Sequence, residues 1–208
     1  MEWKIMPLGA IEANCIILWS RTGEAWIVDP GAEGASVVSF LESRSLKPVA
    51  ILLTHGHFDH IGGVAKLEER YPGLPVHIAR QDEIMFGHPQ NAWPPLYPLM
   101  KRPGNVVTDL EDGYVFAAGG LSARIMSTPG HTKGSVCIYF ESEGLILTGD
   151  TLFAGSCGRT DFPGGDMNEM RASLARLAQL PPETEVVPGH GAVTTIGDEV
   201  RGNPYMQV

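Results

Sequence analysis

The sequence has little cysteine and no long apolar run, and both shortages narrow the class of protein. Cysteine occurs three times in 208 residues, without the spacing of metal-binding cysteines, so we expect no disulfide framework. No stretch is apolar over the roughly 20 residues that a membrane-spanning helix needs, and the first residues lack the basic segment of a signal peptide. We therefore predict a cytoplasmic protein with no membrane partner.

Positive charge is also scarce. Lys and Arg number 15 against 24 Asp and Glu, which gives a formal net charge of −9, and no basic run is present. Because nucleic acids are bound largely through their phosphates, we expect no nucleic-acid partner. The Gly-x-Ser-x-Gly motif of many serine hydrolases is absent as well, so the chain lacks that route to a side-chain nucleophile.

The apolar content is sufficient for one substantial core. Hydrophobic residues make up 43% of the chain, and neither a linker nor a repeat divides it, so we predict a single domain over residues 1–208. Apolar patterning predicts strands at residues 4–8, 14–19 and 25–28 and a helix at residues 64–69. Cys15 and Cys137 lie in strand-like runs and are expected in the core.

Four potential metal ligands lie within the six residues that follow the strand-like run 49–53. His55 and His57 are two residues apart, so on an extended backbone their imidazoles point to the same side and can bind one cation. Asp59 and His60 are adjacent and cannot both follow that direction. If all four bind metal, the chain must turn after His57, which indicates two neighbouring metal positions.

A similar pattern recurs at three later points, where an apolar run ends near a Gly and a potential ligand follows. Ligands of α/β proteins collect beyond the carboxyl ends of strands, so we expect these side chains to converge. His and carboxylate ligands together suit Zn, Fe or Mn. The predicted metal ligands are His55, His57, Asp59, His60, His131, Asp150 and His190.

These motifs resemble those of the metallo-β-lactamase superfamily, and within it the compact bacterial proteins similar to glyoxalase II. The resemblance rests on His-x-His-x-Asp-His at residues 55–60, Pro-Gly-His-Thr at 129–132, Thr-Gly-Asp at 148–150 and Pro-Gly-His-Gly at 188–191. It implies an α/β fold of the αββα kind, with two mixed sheets face to face and helices outside. It also implies no separate C-terminal domain of the kind that helps glyoxalase II hold glutathione.

The resemblance further implies two divalent metal ions, with Zn as the first expectation and Fe or Mn as alternatives. Asp150 would bridge the two ions. The implied ligands of the first ion are His55, His57 and His131, and those of the second are Asp59, His60 and His190.

The expected reaction is hydrolysis of a small thioester such as S-lactoylglutathione. A metal-bound water loses its proton near neutral pH, and the resulting hydroxide can attack a carbonyl carbon. Asp59 is the predicted catalytic residue, which would orient the water and take up a proton. Arg159 is the candidate for binding a substrate carboxylate, and a structural ion pair with Asp161 or Asp166 is its alternative.

Two further questions stay open at the level of sequence. Residues 157–162 also resemble persulfide dioxygenases, which bind one iron and would here use His55, His131 and Asp150. The Pro-rich and aromatic residues 87–104 form either a surface connection over the core or the rim of a substrate pocket. The role of Cys157 and the oligomeric state are not predicted.

Overall fold

The computed structural model describes residues 1–207, which form two six-stranded sheets and a short hairpin. The strands of the first sheet, in their spatial order, are β1 (Glu2–Leu8), β2 (Ala13–Trp19), β3 (Glu24–Val28), β4 (Lys47–Leu52), β5 (Val76–His77) and β6 (Val106–Val107). The strands of the second half of the chain are β7 (Val115–Ala118), β8 (Leu121–Ser127), β9 (Val136–Phe140), β10 (Leu145–Gly149), β11 (Leu152–Phe153), β12 (Ser156–Cys157), β13 (Glu185–Pro188) and β14 (Thr194–Thr195). The second sheet has the order β14-β13-β10-β9-β8-β7, and β11 and β12 form the hairpin.

Helices lie between these strands along the chain. They are α1 (Gly34–Ser43), α2 (Phe58–Ile61), α3 (Val64–Arg70), α4 (Met167–Leu177) and α5 (Ile196–Gly202). Two 3₁₀ segments cover Arg80–Met85 and Glu141–Glu143. The strands predicted at residues 4–8, 14–19 and 25–28 and the helix predicted at 64–69 are thus confirmed within one or two residues at each end. Within residues 1–207, no helix has the length and apolar character needed to cross a bilayer.

The two sheets pack face to face, and helices cover their outer faces. Alternation along β2 shows the arrangement, because its successive side chains point to opposite faces of the sheet. Ile17 packs with Leu41 of α1 and Leu67 of α3 on the outside. Ile16 packs with Ile138 of the second sheet on the inside. The second sheet is covered by α4 and α5. This αββα architecture confirms the predicted fold class.

The carboxyl ends of the parallel strand pairs meet at one edge of the sandwich. Strand β3 runs parallel to β4, and β10 runs parallel to β13. The side-chain amide of Asn14 donates to the carbonyl oxygens of Pro188 at 2.9 Å and of Gly191 at 3.1 Å, which ties the first sheet to the second at this edge. Turns from both sheets therefore share one small region. Cys15 and Cys137 are fully buried in the core, as predicted, and Cys157 is half-buried in β12.

Trp26 offers a test of the interface between the sheets. It is fully buried, lies 4.8 Å from the ring of Phe116 between centroids, and donates its indole N–H to the carbonyl of Ala118 at 3.1 Å. We expect Trp26→Ala to lower the free energy of unfolding by about 3–5 kcal/mol, because a large cavity would replace the indole. The matched control is Trp93→Ala at a half-exposed site, with an expected change of about 0.5 kcal/mol or less. Urea unfolding measures both, and equal losses would contradict this account of the core.

Candidate metal centre

The turn after β4 carries four of the predicted ligands. Strand β4 ends at Leu52, and the chain then reaches His55 and His57 before α2 begins at Phe58. Asp59 and His60 lie in this short helix, whose turn redirects them away from the extended pair. All four side chains are buried, and His60 is completely inaccessible. The predicted change of direction after His57 is therefore present.

The remaining ligands follow strands of the second sheet. His131 comes four residues after the end of β8, Asp150 directly follows β10, and His190 follows β13 by two residues. Gly189 separates β13 from His190. A Cβ at Gly189 would collide with the Asp150 carboxylate and with the His60 ring, so only glycine allows this close approach.

His55, His57 and His131 form one group of possible ligands. One nitrogen from each lies within 4.8 Å of the others. The closest pair is His57 Nδ1 and His131 Nε2, at 2.8 Å. The ring planes of these residues are nearly perpendicular, at 79° to 87°, so the rings are not stacked. Three imidazole nitrogens around one point are a common zinc-binding arrangement.

Asp59, His60 and His190 form a second group with the spacing of a metal site. His190 Nε2 lies 3.2 Å from Asp59 Oδ2 and 3.3 Å from His60 Nε2, and His60 Nε2 lies 3.6 Å from Asp59 Oδ2. Ligands about 2.1 Å from one tetrahedral ion stand about 3.4 Å apart. The observed spacing therefore matches that of three ligands on a single cation.

Asp150 lies between the two groups. Its Oδ2 is 3.5 Å from His131 Nε2 of the first group and 3.7 Å from His190 Nε2 of the second. Its Oδ1 is 3.4 Å from His60 Nε2. One carboxylate thus stands at ligand spacing from both groups, as a bridging ligand requires. The structure brings all seven predicted ligands into one cluster.

Two buried atoms of the cluster have no hydrogen-bond partner. They are His55 Nε2 and Asp150 Oδ1, and both are acceptors when the imidazole proton sits on Nδ1 and the carboxylate is ionised. An unpartnered buried polar atom costs about 1–3 kcal/mol, so a native structure rarely keeps one without a reason. A cation that accepts both lone pairs would supply the missing interaction. The donor set of the cluster therefore fits metal binding.

Hydrogen bonds on the far side of the imidazoles turn their Nε2 atoms toward the cluster. Nδ1 of His131 lies 2.7 Å from the carbonyl oxygen of Arg159, and Nδ1 of His190 lies 3.1 Å from that of Ile11. A carbonyl oxygen can only accept, so each Nδ1 must carry a proton, and in the neutral imidazole Nε2 then keeps a lone pair for a cation. Nδ1 of His60 lies 2.9 Å from Asp29 Oδ2, with the same consequence. Such contacts are typical of metal-binding histidines.

Asp29 is a site residue that the sequence analysis missed. It follows β3, is fully buried, and accepts hydrogen bonds from the Thr54 backbone N–H at 2.7 Å and from the Thr54 hydroxyl at 2.5 Å, besides the contact with His60. Asp29, His55 and His60 would also satisfy the spacing of a metal site. Because three donors already occupy the Asp29 oxygens, we assign Asp29 to holding the ligand turn. Its position at a strand end could have revealed it.

Asp82 and Asn91 hold the same turn from the other side. Asp82 is buried and accepts from the backbone N–H groups of Gly56 at 2.9 Å and Gly134 at 2.8 Å, so it joins the first ligand turn to the loop after His131. Asn91 donates to the carbonyl of Gly56 at 2.8 Å and accepts from Phe58 N–H at 3.0 Å. Asp82 lies in the 3₁₀ segment Arg80–Met85 and Asn91 in the loop that follows it, and no sequence pattern indicated either residue.

Charge inside the cluster separates the two groups of ligands. Burial, together with the charge of neighbouring histidines, lowers the pKa of His55 well below its usual range and that of His57 to about 4. Both are therefore neutral ligands at pH 7. Burial would also lower the pKa of His60 and His190, but the carboxylates of Asp59 and Asp150 outweigh it and raise both values. Without a metal, the raised pKa values of His60 and His190 favour protonation of the second group, so a proton and a metal cation compete for the same position.

A cavity of about 540 Å³ opens onto the cluster and is bordered by Asp59, Asp150 and Arg159. The guanidinium of Arg159 forms a two-point ion pair with Asp161, at 2.7 Å for both contacts, and lies 3.7 Å from the ring centre of Phe162. The structure thus contains the ion pair between Arg159 and Asp161 that was the alternative to substrate binding. A substrate carboxylate would have to compete with Asp161.

Residues 87–104 contribute to the wall of this cavity and of a second cavity that adjoins it. Gln90 and Trp93 line the first, and His88, Gln90 and Asn91 line the second, so the first part of the segment forms a rim and is more than a surface connection. Tyr97 and Met100 are buried against the body of the protein. The structure therefore supports the pocket-rim alternative for residues 88–93 and a packing role for part of the remainder.

A family model described as the metallo-beta-lactamase superfamily matches residues 8–190. The chain belongs to this superfamily. It is 33% identical to hydroxyacylglutathione hydrolase GloC of Haemophilus influenzae over 217 residues, which cover 99% of this chain and 98% of the relative. It is also 33% identical to the probable metallo-hydrolase YqgX of Bacillus subtilis, with 99% and 98% covered.

Solved structures of the superfamily superpose over nearly the whole chain. The BLEG-1 B3 metallo-beta-lactamase has a TM-score of 0.91 and 35% identity, with 100% of both chains covered. TTHA1623 in a di-iron-bound form has a TM-score of 0.86 and 37% identity, with 97% of this chain and 99% of that chain covered. ETHE1 from Myxococcus xanthus has a TM-score of 0.78 and 26% identity, with 98% and 84% covered. This protein is accordingly a metallo-hydrolase of the superfamily, with a His and Asp cluster compatible with two metal ions.

The role assigned to Asp29 can be tested by Asp29→Asn. Asn tolerates the left-handed backbone of this position, where φ is 50°, but its amide cannot accept from all three donors. We expect the affinity for the second cation to fall about 10- to 100-fold, as is usual when the group that orients a metal-binding histidine is lost. Competition with a chromophoric chelator during Zn²⁺ titration measures it.

The matched control is Asp109→Asn. Asp109 makes the same kind of contact with an imidazole, at 2.8 Å from His77 Nδ1, but neither residue belongs to the cluster. Its metal affinity should equal that of the wild type. If both variants bind the second cation with wild-type affinity, Asp29 does not position His60.

Proposed function

We propose that the protein is a binuclear metal-dependent hydrolase that cleaves a small thioester such as S-lactoylglutathione. The expected cations are Zn²⁺, with Fe²⁺ and Mn²⁺ as alternatives. The position of Asp150 carries the proposal, since Oδ2 lies 3.5 Å and 3.7 Å from ligands of two separate groups. A site for one metal ion would not require a second set of three residues at ligand spacing.

Cations held by these residues would lower the pKa of a bound water to near 7 at a zinc centre, which would supply hydroxide at neutral pH. The protein side chains then have three tasks. His131 and His190 stay fixed by their carbonyl partners, Asp59 orients the attacking water at the floor of the cavity and accepts its proton, and Phe58 and Phe162 limit the access of bulk water.

A thioester suits these residues because a thiolate leaves without strong acid assistance. The described residues that line the cavity offer no Lys or Tyr that could protonate a poorer leaving group. The absence of a Gly-x-Ser-x-Gly motif is consistent with a water-derived nucleophile. The 33% identity with a relative named hydroxyacylglutathione hydrolase also supports this substrate class.

A mononuclear iron dioxygenase is the alternative on the same fold, with His55, His131 and Asp150 as the iron ligands. The complete second group, with ligand atoms 3.2 to 3.6 Å apart, favours the binuclear enzyme. The 37% identity with TTHA1623, whose structure is of a di-iron-bound form, also supports this choice.

Metal content and activity test the proposal together. The purified protein should bind close to two cations per chain and release thiol from S-lactoylglutathione without oxygen. Asp150→Ala should lose at least one cation and reduce kcat by about 10³-fold or more, because removing a shared ligand disturbs both metal positions. Elemental analysis and an anaerobic thiol assay provide the measurements.

Asp198→Ala is the control, since this exposed carboxylate of α5 contacts Thr195 and Arg201 and no residue of the cluster, so the substitution should leave both readouts unchanged. A single iron per chain, with oxygen uptake on glutathione persulfide and no thioester cleavage, would replace the hydrolase with the dioxygenase.

The proposed contact between Arg159 and an anionic substrate has its own test. If Arg159 binds a substrate carboxylate, Arg159→Ala should raise KM for S-lactoylglutathione about 10-fold and leave kcat and metal content unchanged. Asp161→Asn should have the opposite effect and lower KM, because it frees the guanidinium from its two-point ion pair. Steady-state kinetics with an uncharged thioester provides the control, and equal changes on both substrates would assign Arg159 a purely structural role.

A further inference from the structure

The groove above the cluster continues into a second cavity of about 440 Å³. The two cavities share His57, Phe58, Gln90 and Phe162 as lining residues, so a bound molecule can extend from the ligand atoms into the outer space. We name this second cavity the outer pocket. It opens between the 3₁₀ segment Arg80–Met85 on one side and residues 162–163 on the other.

The lining of the outer pocket is mainly apolar. Phe58, Ile84, Met85, Phe162 and Pro163 form most of its wall, with polar contributions from His88, Gln90 and Asn91. Ile84 is 72% exposed and Phe162 is 39% exposed. Apolar side chains that line a cavity while still open to water gain free energy when an apolar ligand covers them.

Cationic side chains are nearly absent from the groove outside the proposed metal positions. Among the described residues that line the two cavities, Arg159 is the only Lys or Arg, and its guanidinium already forms an ion pair with Asp161. A glutathione moiety carries two carboxylates and one ammonium group. Away from the proposed metal positions, the groove therefore offers one guanidinium, already paired with Asp161, for two carboxylates, which is a poor match in charge, whereas an uncharged group meets a complementary surface.

We propose that the preferred substrate is a thioester with an uncharged alkyl or aryl group on one arm, which the outer pocket binds through Ile84, Met85 and Phe162. This inference rests on the proposed thioester hydrolysis and names its substrate class. The thioester group lies at the ligand cluster, and the apolar arm lies over residues 84–85 of the rim. S-Lactoylglutathione is then a substrate of low kcat/KM.

Two series of substrates test the inference with the metal-loaded enzyme. In the first, the acyl chain on N-acetylcysteamine lengthens from acetyl to hexanoyl. In the second, acetyl thioesters of alkyl thiols lengthen from ethyl to hexyl. Each rate is divided by the rate of alkaline hydrolysis of the same compound, which removes intrinsic reactivity. We expect kcat/KM to rise about fourfold per methylene in the series whose arm enters the pocket.

A pair of variants locates the effect. Ile84→Ser replaces an exposed apolar side chain of the outer pocket, and it should lower the ratio of kcat/KM between the longest and shortest substrates about 10-fold. Val115→Ser is the matched control, because Val115 is 56% exposed on the edge strand β7 and does not line the groove. It should leave the ratio unchanged.

The outcomes separate this inference from the function on which it rests. If S-lactoylglutathione is cleaved while both series are flat, the outer pocket does not select an apolar arm, and the hydrolase proposal stands. A rise with chain length that Ile84→Ser leaves intact also overturns the assignment to this pocket. If no thioester is cleaved by enzyme with two cations bound, both proposals fail.

Discussion

The buried carboxylate of Asp150 is the constraint on which the site depends. A carboxylate without compensation is costly in a protein interior, and here the charges of His60, His131 and His190 lower its pKa despite burial. Those three imidazoles come from different turns, so satisfying one carboxylate draws together chain from both sheets. The same requirement explains Gly189, because any side chain at that position would fill the space that Asp150 and His60 share.

The sandwich supplies the rigidity that this arrangement needs. The hydrogen-bonded strands fix the positions of the residues that follow them. The pairing of β3 with β4 places Asp29 beside the ligand turn, and the pairing of β10 with β13 places Asp150 beside His190. Asn14 joins the two edges through Pro188 and Gly191. Asp29 and Asp82 then fix the ligand turn itself from opposite sides. A cation would therefore meet donors already placed at ligand spacing, with little chain left to order.

The sequence contained much of this information, because hydrophobic runs and potential ligands alternate in a regular way. Strand-end position located the seven side chains that the structure brings together, and the same reasoning applied to β3 would have located Asp29. Asp82 and Asn91 could not be found in this way. Their function depends on contacts with Gly56, which is distant in sequence, and hydrophobic periodicity does not indicate such contacts. The choice between two roles for Arg159 likewise depended on the conformation of one loop.

The metal ligands and the lining of the outer pocket come from different parts of the chain, so substrate specificity and metal binding can vary separately in sequence. The metal ligands lie on the scaffold, whereas the apolar lining of the outer pocket comes mostly from residues 84–85 and 162–163. Specificity can therefore change through loop residues without disturbing the cluster. Gly56 limits this freedom, because it is held by Asp82 and Asn91 of the same rim, and its missing Cβ leaves room for Met85. Substitutions at exposed positions such as Ile84 should alter selectivity alone, whereas those at Asp82, Met85 or Asn91 would also move His55 and His57.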